Sequence, residues 1–385
     1  MKQGEKMIYF DNAATSWPKP SETKEEMLRA AERYGANPGR GGYAFAKETS
    51  AYMESARKEI ADFLGVIPSR HLIFTGGNTE SANLVIKSCL RPGDHAICTS
   101  MEHNAVYRPL KEREKHGVEL TEIPYSRDKE TFLGSMEAAI KPNTRLIAVN
   151  HGSNVFGAVT PLREVIDLAK KYRIPVFADM AQTAGFLDFP AAAEGLNFAA
   201  YAGHKGLLGY GGIGLLYIRD PQIVSPLIHG GTGSLSRLTN QPRILPLGFE
   251  AGTRNLIGIG ALLGGVRYLK KRGLASVREH EMNCYRRFRE GLRALSHIET
   301  YEADLREHLP VISFNVKDLP PAAVASALDR KAGICGRAGL HCAPAAHRVI
   351  GTEQRGALRF SFGPFNTAEE VDVALNVLED IRYPL

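Results

Sequence analysis

Through its first two-thirds the chain alternates short apolar runs with stretches of helical periodicity. Residues 71–74 read as a strand, and Thr75-Gly-Gly-Asn78 turns into a helix through Leu84, Val85 and Cys89. Residues 95–98 and 145–150 are further strands. Pro161 opens a helix whose apolar positions Val165, Leu168, Ala169 and Tyr172 keep a 3.6 spacing. A strand over 174–178 follows and ends in Asp179. Such alternation predicts crossover βαβ units and a mainly parallel sheet of the α/β class. In open sheets of this kind ligands sit beyond the carboxyl ends of the strands. The residues just after each strand therefore draw attention: Asn78, Thr79, His103, Asn154, Asp179, Gln182, His204 and Lys205. Past about Gly252 the texture changes to a long helical pattern with a break near Gly273, then sparse strands and helices. This reads as a smaller α+β domain, closed by a helix that the capping box Thr367/Glu370 opens.

Composition narrows the class. Of 385 residues, 44% are hydrophobic and 23% charged, which is ordinary globular usage and excludes a disordered chain. The 48 basic residues exceed the 42 acidic ones, but they are interspersed, so no nucleic-acid partner is expected. Five scattered cysteines argue against a disulfide scaffold and for a reducing cytoplasm. The first eleven residues lack the apolar core of a signal peptide, and the longest charge-free apolar run, 256–266, is too short to span a bilayer. The expectation is a cytoplasmic protein with no membrane association.

Gly209, Gly211 and Gly214 fit G-x-G-x-x-G, but they lead into the strand-like 215–218. A dinucleotide fingerprint follows a strand and opens a helix, so this one is rejected. What remains is Lys205 among small residues, accessible to a bulky planar group as a Schiff-base lysine must be, or else a solvated loop lysine. Asp179 ends a buried strand, where an unpaired carboxylate is costly; a pyridinium nitrogen, a salt bridge or a helix cap would each satisfy it. Gly76-Gly77-Asn78-Thr79 precedes a helix and suits a phosphate or a simple capped turn. His103 is placed to stack on a planar group or to move protons.

Near the C-terminus, Cys335 and Cys342 lie with His341 and His347, but their spacing fits no zinc site, and no metal is expected. Cys342, on a Gly- and Pro-bounded loop with Arg337 and His341 close by, suits a nucleophile. Arg359 alternates with Leu358, Phe360 and Phe362 on a strand and is suited to bidentate binding of a carboxylate, or to an exposed sheet face.

Taken in order, Tyr9-Phe-Asp-Asn-Ala-Ala-Thr15, Ala178-Asp-Met-Ala-Gln182, Gly203-His-Lys205, Phe249-Glu-Ala-Gly-Thr253 and Arg337-Ala-Gly-Leu-His-Cys342-Ala-Pro344 resemble the class V aminotransferases. The likeness is to the cysteine desulfurases and selenocysteine lyases of that family, group II type. It implies a pyridoxal-phosphate-dependent transferase fold, with a large domain (16–255) built on a mainly parallel seven-stranded sheet. A smaller α+β domain would combine 1–15 with 256–385. The resemblance implies that Lys205 bonds pyridoxal 5'-phosphate, Asp179 pairs with the ring nitrogen, Gln182 bonds the phenolic oxygen and His103 stacks on the ring. Asn78, Thr79 and His204 would hold the phosphate, and Thr253 would reach the phosphate of a neighbouring subunit in a homodimer. Asn154 and Arg359 would hold the substrate carboxylate with Arg337 and Asn12 nearby, and Cys342 would carry the persulfide. The substrate would be L-cysteine or L-selenocysteine and the sulfur would pass to an acceptor. The same scaffold would also suit a transaminase or a C–S β-lyase. Two positions depart from the family pattern: Ala202 stands where a phosphate-binding Ser is common, and Leu340 where a His is common.

Overall fold

The structure is a computed structural model that describes residues 7–39, 41–302 and 307–382; residues 1–6 and 383–385 of the expected smaller domain lie outside them. The elements in chain order begin with β1 (Ile8–Tyr9), α1 (Ser21–Arg33) and α2 (Ala44–Phe63). Then come β2 (Leu72–Thr75), α3 (Asn78–Cys89), β3 (His95–Thr99), α4 (Asn104–Lys115), β4 (Glu119–Ile123), α5 (Lys129–Ala138) and β5 (Thr144–Asn150). They continue with α6 (Leu162–Lys171), β6 (Val176–Asp179), α7 (Ala191–Glu194), β7 (Phe198–Ala202) and β8 (Gly214–Ile218). The remainder is α8 (Leu256–Arg272), α9 (Leu274–Ala294), β9 (Ile298–Tyr301), β10 (Val311–Val316), α10 (Pro321–Ala332), β11 (Ile334–Cys335), β12 (Arg337–Gly339), α11 (Pro344–Val349), β13 (Ala357–Ser361) and α12 (Ala368–Asp380).

Seven strands form the main sheet in the order β2-β8-β7-β6-β5-β3-β4, with β8 alone running against the rest. Both faces are covered. Along β5, Ile147 and Val149 point into a core shared with α1, α2, α6 and α8, while Leu146 and Ala148 point into a second core beneath α3 and α4. A strand buried on both faces has no polar side to show, so it reads as a continuous apolar run. Each fully buried Val, Leu, Ile or Phe in these cores contributes about 1.5–3 kcal/mol.

A second sheet, β12-β13-β10-β9, is antiparallel and packs under α9, α10 and α12. Its core is aromatic: the Phe288 ring lies 5.1 Å from Phe360 and 5.7 Å from both Phe314 and Phe362. β1 pairs in parallel with β11 as a separate two-stranded sheet, and a bridge between Asp11 and Ser361 ties the N-terminal segment to β13. The Thr367/Glu370 capping box opens α12 as expected. Gly273, with φ +79°, separates α8 from α9. The smaller domain was expected to begin at 256, yet α8 buries Leu262, Leu263 and Val266 in the large-sheet core. The glycine pattern of α8 explains this. A Cβ at Gly264 would lie 2.1 Å from the Glu22 carbonyl oxygen, so α8 can press directly onto α1. No helix among the described residues is long and apolar enough to cross a membrane.

Candidate functional site

A cleft of about 490 Å³ opens at the carboxyl ends of the central strands, within the range of small-molecule sites. Its floor is set by β6 and β7, which lie side by side and end at Asp179 and Ala202. The turn after β7 carries His204 and Lys205. It is pressed against the turn after β6: a Cβ on Gly206 would lie 2.3 Å from the Ala184 carbonyl oxygen, and one on Gly185, at φ +84°, 2.2 Å from that of Gly206. Glycine at both positions permits the approach that brings Lys205 to Asp179. The His204 carbonyl fixes the turn by accepting from Ser16 N, Thr15 Oγ1, Ser16 Oγ and Lys19 Nζ.

Asp179 is buried, and burial pushes its carboxyl above the usual range, against the pull of Ala181 N–H, Lys205 and Asn78. Both of its hydrogen bonds, from Asn78 Nδ2 and Ala181 N at 3.0 Å each, land on Oδ1. Oδ2 is left for a further donor. Burial lowers Lys205 to about 8; Asp179 opposes this, while Arg359 and Arg337 add to it. Burial and the same cations bring His103 down to about 3, so the ring is neutral. Its Nδ1 accepts from Ala105 N at 3.0 Å and caps α4, so the proton sits on Nε2. His204 is lowered to about 4, also chiefly by burial.

Asn78 and Thr79 open α3 at the cleft wall, behind Gly76 and Gly77. Free backbone N–H groups and the helix dipole make that end suited to an anion. Asn154, Gln182, Arg337 and Arg359 also line the cleft. Gln182 Nε2 donates to the Ala13 carbonyl at 2.9 Å, and Asn154 Nδ2 to that of His341 at 2.8 Å. Three buried polar atoms around the cleft have no partner: Asn78 Oδ1, Asn154 Oδ1 and Arg359 Nε. Such atoms are costly unless a ligand or water meets them. Cys342 is exposed, and Arg337 Nη2 lies 3.4 Å from its sulfur. One guanidinium therefore belongs to both the cleft and the thiol.

Some expected residues have a setting other than the sequence suggested. Arg359 is not on a polar sheet face: every residue of β13 is buried, because the large domain covers its second side. Its Nη2 pairs with Asp11 Oδ1 at 2.6 Å and its Nη1 donates to the Asn154 carbonyl at 2.9 Å. Asn12 is not among the lining residues of the cleft. Its Nδ2 donates to Ser361 O and Asn366 Oδ1 and its Oδ1 accepts from Trp17 N, so its capacity is spent on stitching the N-terminal segment to β13. Thr253 is exposed, away from this chain's own cleft. Three residues escaped sequence reasoning. Asp11 positions Arg359, and Lys19 holds the Lys205 turn. Glu102 is buried and pushed up to about 8 by burial, collecting Thr99 N, Thr99 Oγ1 and Asn150 N on Oε1. Glu102 adjoins His103 in sequence, and that adjacency was the available signal.

A buried lysine–aspartate pair, an anion-binding helix start and a thiol at the mouth suit covalent chemistry on an amino acid. The comparisons agree. A cysteine desulfurase of Klebsiella pneumoniae strain 342 is 35% identical over 396 residues, covering 98% of this chain and 94% of that protein. A probable cysteine desulfurase of Methanothermobacter thermautotrophicus is 32% identical over 381 residues, covering 97% and 94%. The structure of a cysteine desulfurase from Thermococcus onnurineus matches with a TM-score of 0.89 at 34% identity, over 97% of this chain and 94% of that one. The family model for class V aminotransferases spans residues 8–374. With fold, cleft and sequence in agreement over nearly its whole length, the chain belongs to the class V aminotransferase family.

Proposed function

We propose that this chain is a pyridoxal-phosphate-dependent cysteine desulfurase, converting L-cysteine to L-alanine and leaving the sulfur as a persulfide on Cys342. One observation carries this reading. Lys205 and Asp179 lie at the floor of the cleft, and an exposed thiol at its mouth shares the Arg337 guanidinium with the cleft. Relatives named as cysteine desulfurases support it.

The residues present fit the cofactor. Asp179 Oδ2 suits the ring nitrogen, the start of α3 with Asn78, Thr79 and His204 suits the phosphate, and Lys205 suits the carbonyl carbon. The neutral His103 ring suits stacking, because it adds no like charge to a pyridinium. Gln182 keeps a second amide hydrogen for the ring oxygen. When bound, pyridoxal phosphate supplies an electron sink that acidifies the substrate Cα–H. Lys205, lowered to about 8, takes that proton. Arg359 Nε, with Asn154 and Arg337, orients the substrate carboxylate. The Cys342 sulfur attacks the substrate sulfur; the S–S bond forms as the Cβ–S bond breaks, and the electron pair stays with the carbon skeleton. The Cys342 proton ends on Cβ and the Cα proton returns, giving alanine. We further propose a homodimer in which Thr253 reaches the partner's phosphate, an acceptor that collects the sulfur, L-selenocysteine as a second substrate, and a domain break at Gly273.

With L-cysteine and excess reductant, the loaded enzyme is expected to release alanine and sulfide in equal amounts. A keto acid in place of alanine would replace this reading, with a C–S β-lyase where sulfide is released alongside it and with a transaminase where it is not. A second measurement concerns Lys205 itself. The form of Lys205 that would bond the cofactor is the neutral amine, and with a lowered lysine that form is half-populated near pH 8. The rate of pyridoxal phosphate uptake by cofactor-free protein is therefore expected to rise with pH around a midpoint near 8; a midpoint above 10 would mean that the burial of Lys205 does not act on it.

A further inference from the structure

Cys342 sits in a turn that is held in an unfavourable backbone region. His341 and Cys342 have φ values of +50° and +56°, where a residue with a Cβ is strained. Strain of this kind persists only where the surroundings over-determine it. On the cleft side, Asn154 Nδ2 holds the His341 carbonyl at 2.8 Å and Asn104 N holds the Cys342 carbonyl at 2.7 Å. Behind the turn lies a row of buried side chains. His341 Nε2 is 2.9 Å from the Arg337 carbonyl, His341 Nδ1 is 3.0 Å from His347 Nε2, and His347 Nδ1 is 2.7 Å from Thr352 Oγ1. All three residues of the row are buried.

With neutral rings, one proton pattern satisfies the row. The Arg337 carbonyl can only accept, so His341 Nε2 carries its proton and Nδ1 accepts. His347 Nε2 must then donate, and its Nδ1 accepts from the Thr352 hydroxyl. Burial, aided by the Arg359 cation, lowers His341 to about 2 and His347 to about 4, which keeps both rings neutral.

We propose that His347 is a positioning residue for Cys342. With Thr352 behind it, His347 locks the His341 ring, which grips the Arg337 carbonyl across the turn and so keeps the Cys342 sulfur beside the Arg337 guanidinium. The turn thereby fixes where the exposed sulfur stands at the cleft. His347 is not among the residues lining the cleft and meets no reacting group. The proposal rests on the reading of Cys342 as the sulfur-carrying thiol; its test keeps the two separable.

The test uses the loaded enzyme as wild type, His347→Leu, His347→Gln and Thr352→Val. The first readout is the rate of Cys342 alkylation by iodoacetamide at one fixed pH, read by mass spectrometry on its peptide. The second is kcat and KM for L-cysteine. In His347→Leu the His341 ring loses its donor, and both alkylation and kcat are expected to fall about tenfold, the scale of one buried hydrogen bond. KM should stay within about twofold, since no cleft residue changes. His347→Gln keeps an amide N–H for His341 Nδ1 and is expected to stay within about threefold of wild type. Unchanged alkylation in His347→Leu, or a Gln variant as impaired as the Leu variant, would overturn the proposal and leave His347 a packing residue. If His347→Leu does not fold, Thr352→Val decides: a slowing of about threefold supports the proposal, and a wild-type rate overturns it. Should the wild type form no persulfide, the alkylation arm still stands, because it needs no turnover.

Discussion

Lys205→Ala is expected to abolish turnover, with kcat falling by about 10⁴ or more, while the protein stays folded. Two functions leave together. Among the described residues Lys205 is the one lysine lining the cleft, and the proposed reaction uses it both to bond the cofactor carbon and as base for the substrate Cα proton. General-base catalysis alone is worth about 10²–10⁴, and loss of the covalent anchor adds to it. Folding should not suffer, because a buried ammonium is costly to desolvate and burial already drives Lys205 down to about 8. The check is borohydride reduction of the cofactor-loaded wild type followed by peptide mapping. The label should sit on Lys205, and the variant should carry none. A label on another lysine, or a variant within a few-fold of wild-type kcat, would remove Lys205 from the chemistry.

How far these residues were legible in the sequence follows from the distances over which they act. β5 and β6 showed as apolar runs because both of their faces are covered. Asp179, Lys205, Asn78 and His103 stood out because each follows a strand, where open sheets keep their ligands. The rejection of the dinucleotide fingerprint rested on local context, and residues 214–218 do form a strand, β8. What stayed hidden is non-local. Asp11 meets Arg359 across 348 residues, and β1 is only two residues long, too short to carry a period. Arg359 looked polar-facing because a strand covered by another domain cannot be told from one facing water by alternation alone. Asn12 belongs to a conspicuous motif, yet its amide is consumed between the N-terminal segment, Ser361 and Asn366. The packing of α8 onto α1 and the large-sheet core was equally hidden, because its glycines signal close approach without naming the partner.

Cys342→Ala is expected to keep the cofactor and bind cysteine, yet to release sulfide about 10³-fold more slowly or worse, as when a nucleophile is removed from a site that still binds its substrate. The argument is one of access. A sulfur carrier must reach the substrate sulfur and afterwards present its own to an acceptor. Cys342 is the one exposed cysteine, and Arg337 Nη2 lies 3.4 Å from it. Burial works against the others. It pushes Cys89 up to about 12 and Cys284 to about 11, raises Cys98 well above the usual range, and raises Cys335, whose thiol points to the Gly333 carbonyl beside β1. A raised thiol means less thiolate at neutral pH and hence a poorer nucleophile. Alanine at each of those four positions should therefore leave kcat within about twofold, apart from any cost in stability at the buried Cys98 and Cys284. L-selenocysteine should suffer less from Cys342→Ala than L-cysteine, because selenium leaves carbon more readily and needs less help from a thiol. Brief exposure of the wild type to cysteine, followed by mass spectrometry, should find one added sulfur on the peptide that holds Cys342. If that peptide stays unmodified while cysteine becomes alanine, or if Cys342→Ala releases sulfide at the wild-type rate, the sulfur passes from the substrate directly to an external thiol and Cys342 is not its carrier.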